Sequence, residues 1–209
     1  MTHPAAPLVL LISAPSGGGK TTVCGQLLAA HPGLARAVTC TTRPPRAGER
    51  DGIDYHFLDP DSFARRVAAG EFLEHATVYG HRYGTLKREL LDRLSAGRDV
   101  LLNIDVQGAA SVRRHAAQDP TLAAALVTVF LTPPSLDTLR ERLRKRGQDA
   151  EAAIQKRLAA ARMEIEQWRQ FDYLVISASI PEDLRCVEAI YTAEKLRSRR
   201  SGWVPDWEL

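Results

Sequence analysis

Apolar residues in this chain fall into short unbroken runs, separated by longer stretches where they recur every three or four positions. The runs at residues 8–12, 100–104, 126–131 and 173–176 are rich in Val, Ile and Leu, as strands buried on both faces are. Residues 38–42 are read as a fifth strand. Helical patterns lie between the runs, so the alternation predicts an α/β fold: a parallel five-stranded sheet flanked by helices. Ligands of such sheets collect outside the carboxyl ends of the strands. Two segments break the alternation. Residues 39 to about 85 are polar, aromatic and glycine-bearing, with one helical stretch at 61–69, which predicts an inserted lobe of short strands plus one helix. Ser135 can cap a helix carrying Leu136, Leu139 and Leu143 on one face, and Gly147 is placed to end it. A second helix follows with Ile154, Leu158, Ala161, Ile165 and Trp168 at helical spacing, and Trp168 is expected in its core. The polar hinge Arg146-Gly147-Gln148-Asp149 joins the two, which predicts a helical hairpin able to close over a site. Residues 196–200 are expected to extend the last helix, and 201–209 to be loosely held.

The first run leads into Ser13-Ala14-Pro15-Ser16-Gly17-Gly18-Gly19-Lys20-Thr21-Thr22 and then a helical stretch. Strand, glycine-rich turn, Lys-Thr and helix make the layout of a phosphate-binding loop. Glycines let successive amides curl around an anion, and the helix points its positive end at the same anion. Lys20 supplies a mobile charge for the outer phosphates, and the Thr21 hydroxyl is placed to ligate Mg²⁺.

Three further clusters carry chemistry. Thr39-Cys40-Thr41-Thr42-Arg43-Pro44-Pro45-Arg46 sets two arginines on a stiff edge, suited to a phosphate monoester or to a solvated basic loop, and Tyr55 can add a hydroxyl. Glu74 precedes Tyr79-Gly80-His81-Arg82-Tyr83-Gly84-Thr85. One carboxylate can accept both N1–H and the exocyclic amine of guanine while rejecting adenine; alone, Glu74 also fits a surface ion pair. Asp105, in Asn103-Ile104-Asp105-Val106-Gln107-Gly108, can hold a water of a Mg²⁺ shell or a substrate hydroxyl, or cap the next helix. Arg142 and Arg146 share a helix face, and Arg157 follows on the second helix.

Composition narrows the setting more than the chemistry. The 209 residues carry 28 Lys and Arg against 25 Asp and Glu, a formal charge of +3, which suits anionic nucleotides as well as nucleic acid. The three cysteines, Cys24, Cys40 and Cys186, form no CxxC pair, which argues for a reducing compartment. The six histidines include His31, His56, His75, His81 and His115, without metal-ligand spacing. No apolar run reaches the roughly 18 residues of a membrane span. The N-terminal segment lacks the basic start and apolar core of a signal peptide. A cytoplasmic protein is expected.

Taken together, SAPSGGGKTT, TTRPPRAGE, DYHF, EFLEHATVYGHRYGT, NIDVQG and RLRKRGQD…KRL resemble guanylate kinase over roughly residues 7 to 190. The resemblance implies a P-loop NTPase core (7–37, 90–133 and 169–200) with an inserted NMP-binding lobe (38–89) and a helical lid (134–168), the whole domain covering 7–188. It implies transfer of the γ-phosphate of ATP to GMP or dGMP with Mg²⁺, and no nucleic acid, membrane or obligate protein partner. Residues Ala14, Pro15, Ser16, Gly17, Gly18, Gly19, Lys20, Thr21 and Thr22 are then the ATP loop. Thr39, Arg43, Arg46, Tyr55, Glu74, Tyr83, Thr85 and Asp105 match the GMP site. Lys20, Arg142, Arg146 and Arg157 match the catalytic cations, and Thr21 and Asp105 (through water) the metal site. Three departures stand out: Asn103 where the family usually has Asp, Arg82 where it has a first Tyr, and Ser177-Ala178 where it often has Asn-Asp. No adenine contact is assigned to Ser177.

Overall fold

The structure, a computed structural model, describes residues 5–78, 80–145 and 150–203. In chain order the elements are β1 (Val9–Ser13), α1 (Lys20–Ala30), β2 (Leu34–Arg36), β3 (Cys40–Thr41), β4 (His56–Phe57), α2 (Pro60–Ala68), β5 (Phe72–Val78), β6 (His81–Leu86), α3 (Lys87–Ser95), β7 (Asp99–Asn103), α4 (Val106–Ala116), α5 (Pro120–Ala125), β8 (Leu126–Thr132), α6 (Leu136–Lys145), α7 (Glu151–Ile165), β9 (Tyr173–Ile176) and α8 (Ile180–Lys195).

A five-stranded sheet runs in the order β2-β7-β1-β8-β9, and every pairing is parallel. All five residues of β1 are buried because helices cover both faces. Its side chains alternate between the two cores. Val9 and Leu11 join Leu90, Leu94 and Val112 on one side; Leu10 and Ile12 join Val23, Leu27 and Val187 on the other. Buried Asp99 clamps the amino ends of the strands. It accepts from the Leu8 amide (2.8 Å), Lys195 Nζ (2.9 Å) and the Tyr191 hydroxyl (2.6 Å). Burial raises the Tyr191 phenol above its usual pKa, and the Asp99 carboxylate adds to the effect.

A second sheet, ordered β4-β3-β6-β5, is antiparallel except for β3 with β4. Phe63 of α2 stacks on Phe72 of β5 at 4.5 Å between centroids, and Cys40 and Leu86 complete this small core. A bulge between Phe72 and Glu74 brings Glu74 opposite Thr85. The hairpin packs against α4, which stands at the carboxyl end of β7.

Three expectations need correction. The fifth strand of the main sheet is Leu34–Arg36, not 38–42; within that run only Cys40 and Thr41 are extended, and they pair in the second sheet. The last helix ends at Lys195, with a separate 3₁₀ turn at Ser198–Arg200. That turn is buried at Arg200, whose carbonyl accepts from the Ala6 amide at 2.7 Å. Trp168 is not a core residue: it lies in a 3₁₀ turn after α7, 37% exposed, with the Arg169 guanidinium 5.1 Å from its ring. The hinge at residues 146–149, Arg146 included, lies outside the described residues, as do Tyr79 and residues 204–209.

Gly84 sets the spacing of the second hairpin. A Cβ there would lie 2.7 Å from Phe72 Cδ1 and 2.8 Å from the Glu74 carbonyl oxygen. Gly84→Ala is therefore expected to destabilise the protein by about 1–3 kcal/mol through overpacking. Thermal unfolding checks this, and an unchanged midpoint would show that the strands part without cost.

Candidate active site

Gly19 forms the end cap of α1 with φ 90° and supplies no side-chain cap. No capping side chain therefore occupies the amino end of α1. Gly17 also has positive φ, 91°, which favours glycine. Its missing Cβ lets α6 sit on the loop: that atom would be 2.9 Å from Leu143 Cδ2 and 3.0 Å from Leu139 Cδ1. Residues Ala14 to Thr22 line a cavity of about 570 Å³, together with Asp105, Lys156, Arg157 and Glu164.

Lys20 Nζ donates to the Ile104 carbonyl at 2.5 Å, so the loop lysine reaches across to the end of β7. Burial pulls its pKa below the usual lysine value, opposed by the fields of Cys24, Asp105, Glu164 and Glu74. Burial also pushes the Cys24 thiol up to about 12, so Cys24 is no thiolate at neutral pH. Cys24, Cys40 and Cys186 are all free.

A second cavity, 450 Å³, is lined by Thr21, Thr39, Tyr55, Glu74, Tyr83, Asn103 and Asp105, among others. The two cavities share Thr21, Val78 and Asp105. The loop and the Glu74 pocket thus open onto one another at the carboxyl edge of the sheet. Asp105 caps α4, accepting from the Gly108 amide at 2.8 Å, so the capping reading holds, and the residue also lines both cavities.

Glu74 is 7% exposed and accepts from the Thr85 hydroxyl at 2.7 Å. Gly108 makes room for it; a Cβ there would lie 3.2 Å from Glu74 Oε2. Burial pushes the Glu74 carboxyl up to about 6, with Asp105 raising it further and Thr85 and Lys20 opposing. Thr85 itself is fully buried behind Glu74.

The arginines are distributed differently. Arg43 lies 5.5 Å from the Tyr55 ring and holds both oxygens of Glu49, at 2.8 and 2.9 Å. The hydrogen bonds it donates to Glu49, then its bond with Tyr83, hold its guanidinium above the usual pKa. Arg46 is exposed, and its amide donates to the same Glu49 at 2.7 Å. Neither arginine is among the lining residues of the second cavity. Arg157 lines the loop cavity, whereas Arg142 donates to the Ser177 hydroxyl at 2.9 Å.

Three participants escaped the sequence reading. Glu164 Oε2 accepts from the Ser16 amide of the loop at 3.0 Å; it lies seven residues, about two helical turns, from Arg157, and that spacing was the available signal. Arg36 lines the second cavity and lies 5.6 Å from the Tyr55 ring. Asp183 partners Ser177 at 2.6 Å. Among the described residues no group of three or more His, Cys, Asp or Glu is arranged to hold a metal, and no helix is long and apolar enough to cross a membrane.

Comparison with known proteins gives one family. The guanylate kinase family model matches residues 6–194. The chain is 44% identical to a guanylate kinase of Thiobacillus denitrificans over 201 residues, covering 96% of this chain and 93% of that one. It is 43% identical to one of Coxiella burnetii over 189 residues, covering 90% and 88% respectively. The crystal structure of guanylate kinase from Anaplasma phagocytophilum superposes with a TM-score of 0.72 at 31% identity, over 96% of this chain and 92% of that one.

The raised Glu74 pKa has a stability consequence of fixed sign. The fold prefers the protonated carboxyl, so stability from this group is full below about 4.5 and is lost as pH rises through about 6. The loss is about 2 kcal/mol. Glu74→Gln, which cannot ionise, is expected to gain about that much relative to the parent between pH 4.5 and 7.5. Denaturant unfolding of both proteins across this range measures the gap; a gap independent of pH would contradict it.

Proposed function

This chain belongs to the guanylate kinase family, and from that we infer that it transfers the γ-phosphate of ATP to GMP, giving ADP and GDP. The observation that carries the reading is the junction of the two cavities at Thr21 and Asp105. One is floored by a phosphate loop, and the other ends on a buried carboxylate suited to a guanine edge. In-line transfer between two nucleotides needs that adjacency and no protein nucleophile.

The proposed roles follow from chemistry. The loop amides and Lys20 take the donor phosphates. Glu74, ionised, accepts N1–H and the amine of guanine, while Thr85 holds one of its oxygens. Adenine, an acceptor at N1, leaves that carboxylate unpaired. Thr39, Tyr55 and Tyr83 line the acceptor pocket. Arg43 and Arg46 take the GMP phosphate, for which Arg43 exchanges or shares the Glu49 carboxylate. Arg142, Arg146 and Arg157 neutralise charge on the migrating group. Residues 38–89 form the acceptor lobe and 134–168 the lid.

Mg²⁺ fits the donors available. The exposed Thr21 hydroxyl and Asp105 are hard oxygen ligands at the junction, and Asp105 spends only one oxygen, Oδ1, on its cap. A cation held by one or two protein oxygens plus phosphates is the usual Mg²⁺ arrangement. Bound there, it would offset the charge between donor and acceptor phosphates. A cytoplasmic setting, where ATP and GMP meet, is proposed with this activity.

Steady-state phosphorylation with ATP and each of GMP, AMP, UMP and CMP tests the reading. GDP formation is expected to exceed the other products by at least about 10³-fold in kcat/KM; equal use of AMP would overturn it. Lys20→Ala is expected to lose about 10³-fold or more in kcat, by the scale of lost charge stabilisation, with circular dichroism unchanged. The Glu74 pKa of about 6 adds a pH signature: the KM for GMP is expected to rise about tenfold per pH unit below it, while the KM for ATP stays level.

A further inference from the structure

The β9–α8 loop, where the chain departs from its family, holds a buried polar relay. Arg142 Nη1 donates to Ser177 Oγ at 2.9 Å, and Ser177 Oγ donates to Asp183 Oδ2 at 2.6 Å. Asp183 Oδ1 takes the Ala178 amide at 3.1 Å. Ser177 and Asp183 are each only 1% exposed. A hydroxyl has one proton to give. Since a guanidinium can only donate and an ionised carboxylate can only accept, that proton points at Asp183 and a lone pair faces Arg142. The order is therefore guanidinium to hydroxyl to carboxylate, each bond polarising the next.

Residues beside the relay pack on the phosphate loop. The Ser177 amide donates to the Thr132 carbonyl at 2.7 Å, fixing the hydroxyl to the carboxyl edge of the main sheet. Ile180, three residues on, lies against Gly19: a Cβ on that glycine would be 3.7 Å from Ile180 Cδ1. Leu143, next to Arg142, lies over Gly17. The bond from Arg142 to Ser177 thus joins the two covers of the loop, α6 and the β9–α8 turn.

We infer that Asp183, acting through the Ser177 hydroxyl, is a positioning residue for Arg142 in phosphoryl transfer. The inference rests on the proposed role of Arg142 and adds the residues that aim it. Asp183 sits in the first turn of α8, far from the sequence motifs, and touches no cavity around the loop. Its carboxylate offers acceptors to two donors at once, the Ser177 hydroxyl and the Ala178 amide. An asparagine there cannot. Its amide nitrogen must face either the Ala178 N–H or Ser177 Oγ, and the second choice leaves the Ser177 proton without its buried acceptor and sets a second donor beside Arg142 on the same oxygen.

A double-mutant cycle on kcat tests this. Asp183→Asn is expected to lower kcat about tenfold, the scale of a sub-ångström misplacement, with the KM for GMP unchanged within about twofold. Ser177→Ala is expected to do the same, and it carries the test if Asp183→Asn fails to fold. In an Arg142→Ala background, either change is expected to cost less than about twofold further. An Asp183→Asn or Ser177→Ala variant with parental kcat would overturn the relay. So would an equal loss with and without Arg142, or a loss confined to the KM for GMP. A parent protein that makes no GDP would instead refute the activity, and an Arg142→Ala variant with parental kcat would refute the role of Arg142. The three failures are thus told apart.

Discussion

Two phosphate groups cannot be set end to end unless positive charge is already fixed between them. Two unit charges about 4 Å apart repel by about 4 kcal/mol even at an effective dielectric constant of about 20. The remaining features of this protein can be read as answers to that constraint. The parallel sheet brings the ends of β1 and β7 side by side, so Lys20 from one strand's loop reaches the Ile104 carbonyl beyond the other. The uncapped start of α1 adds its amides to the same point. Asp105, just before α4, borders both cavities while its other duty is to cap that helix.

Negative charge is rationed with equal care. Glu74, Asp105 and Glu164 all lie close enough to Lys20 to raise its pKa against burial. Glu74 keeps its affinity for a proton because it is buried and neighbours Asp105. Such a carboxylate gains most from a ligand that donates two hydrogen bonds to its ionised form, since these replace the water it lost. With the role proposed for Glu74, the cost of burial in the free protein is linked to selectivity in the complex. Gly108 and Gly84 serve this one side chain, the first by leaving room beside its carboxylate and the second by keeping β5 and β6 close.

The α6–α7 side of the loop is governed by packing and by a few polar contacts. Leu139 and Leu143 rest on Gly17, and the small cluster of Ile154, Leu158 and Ala161 holds α6 to α7. Around that apolar pivot, Glu164 takes a loop amide and Arg142 takes the Ser177 hydroxyl. The Glu164 contact is polar and exposed, so it can be traded for contacts with a nucleotide at small net cost, whereas the Ser177 hydroxyl that Arg142 meets is buried. Arg43 with Glu49 is the corresponding arrangement in the second lobe.

By itself the sequence determined the alternation of buried strands and helices, the glycine loop with Lys20 and Thr21, and several of the residues that line the cavity around Glu74. These depend on local periodicity and on motifs whose spacing is set by backbone geometry. Only the tertiary structure decided that Leu34–Arg36 rather than 38–42 completes the main sheet, because a three-residue strand is defined by its partner β7 and not by its own pattern. Likewise, nothing local distinguishes Trp168 as exposed or Arg200 as buried. Glu164 and Asp183 act across separations of 148 and 6 residues, the first by folding α7 onto the loop and the second by turning back from α8. A side chain's role in such contacts is set by what long-range packing brings to it, which a single chain of letters does not record.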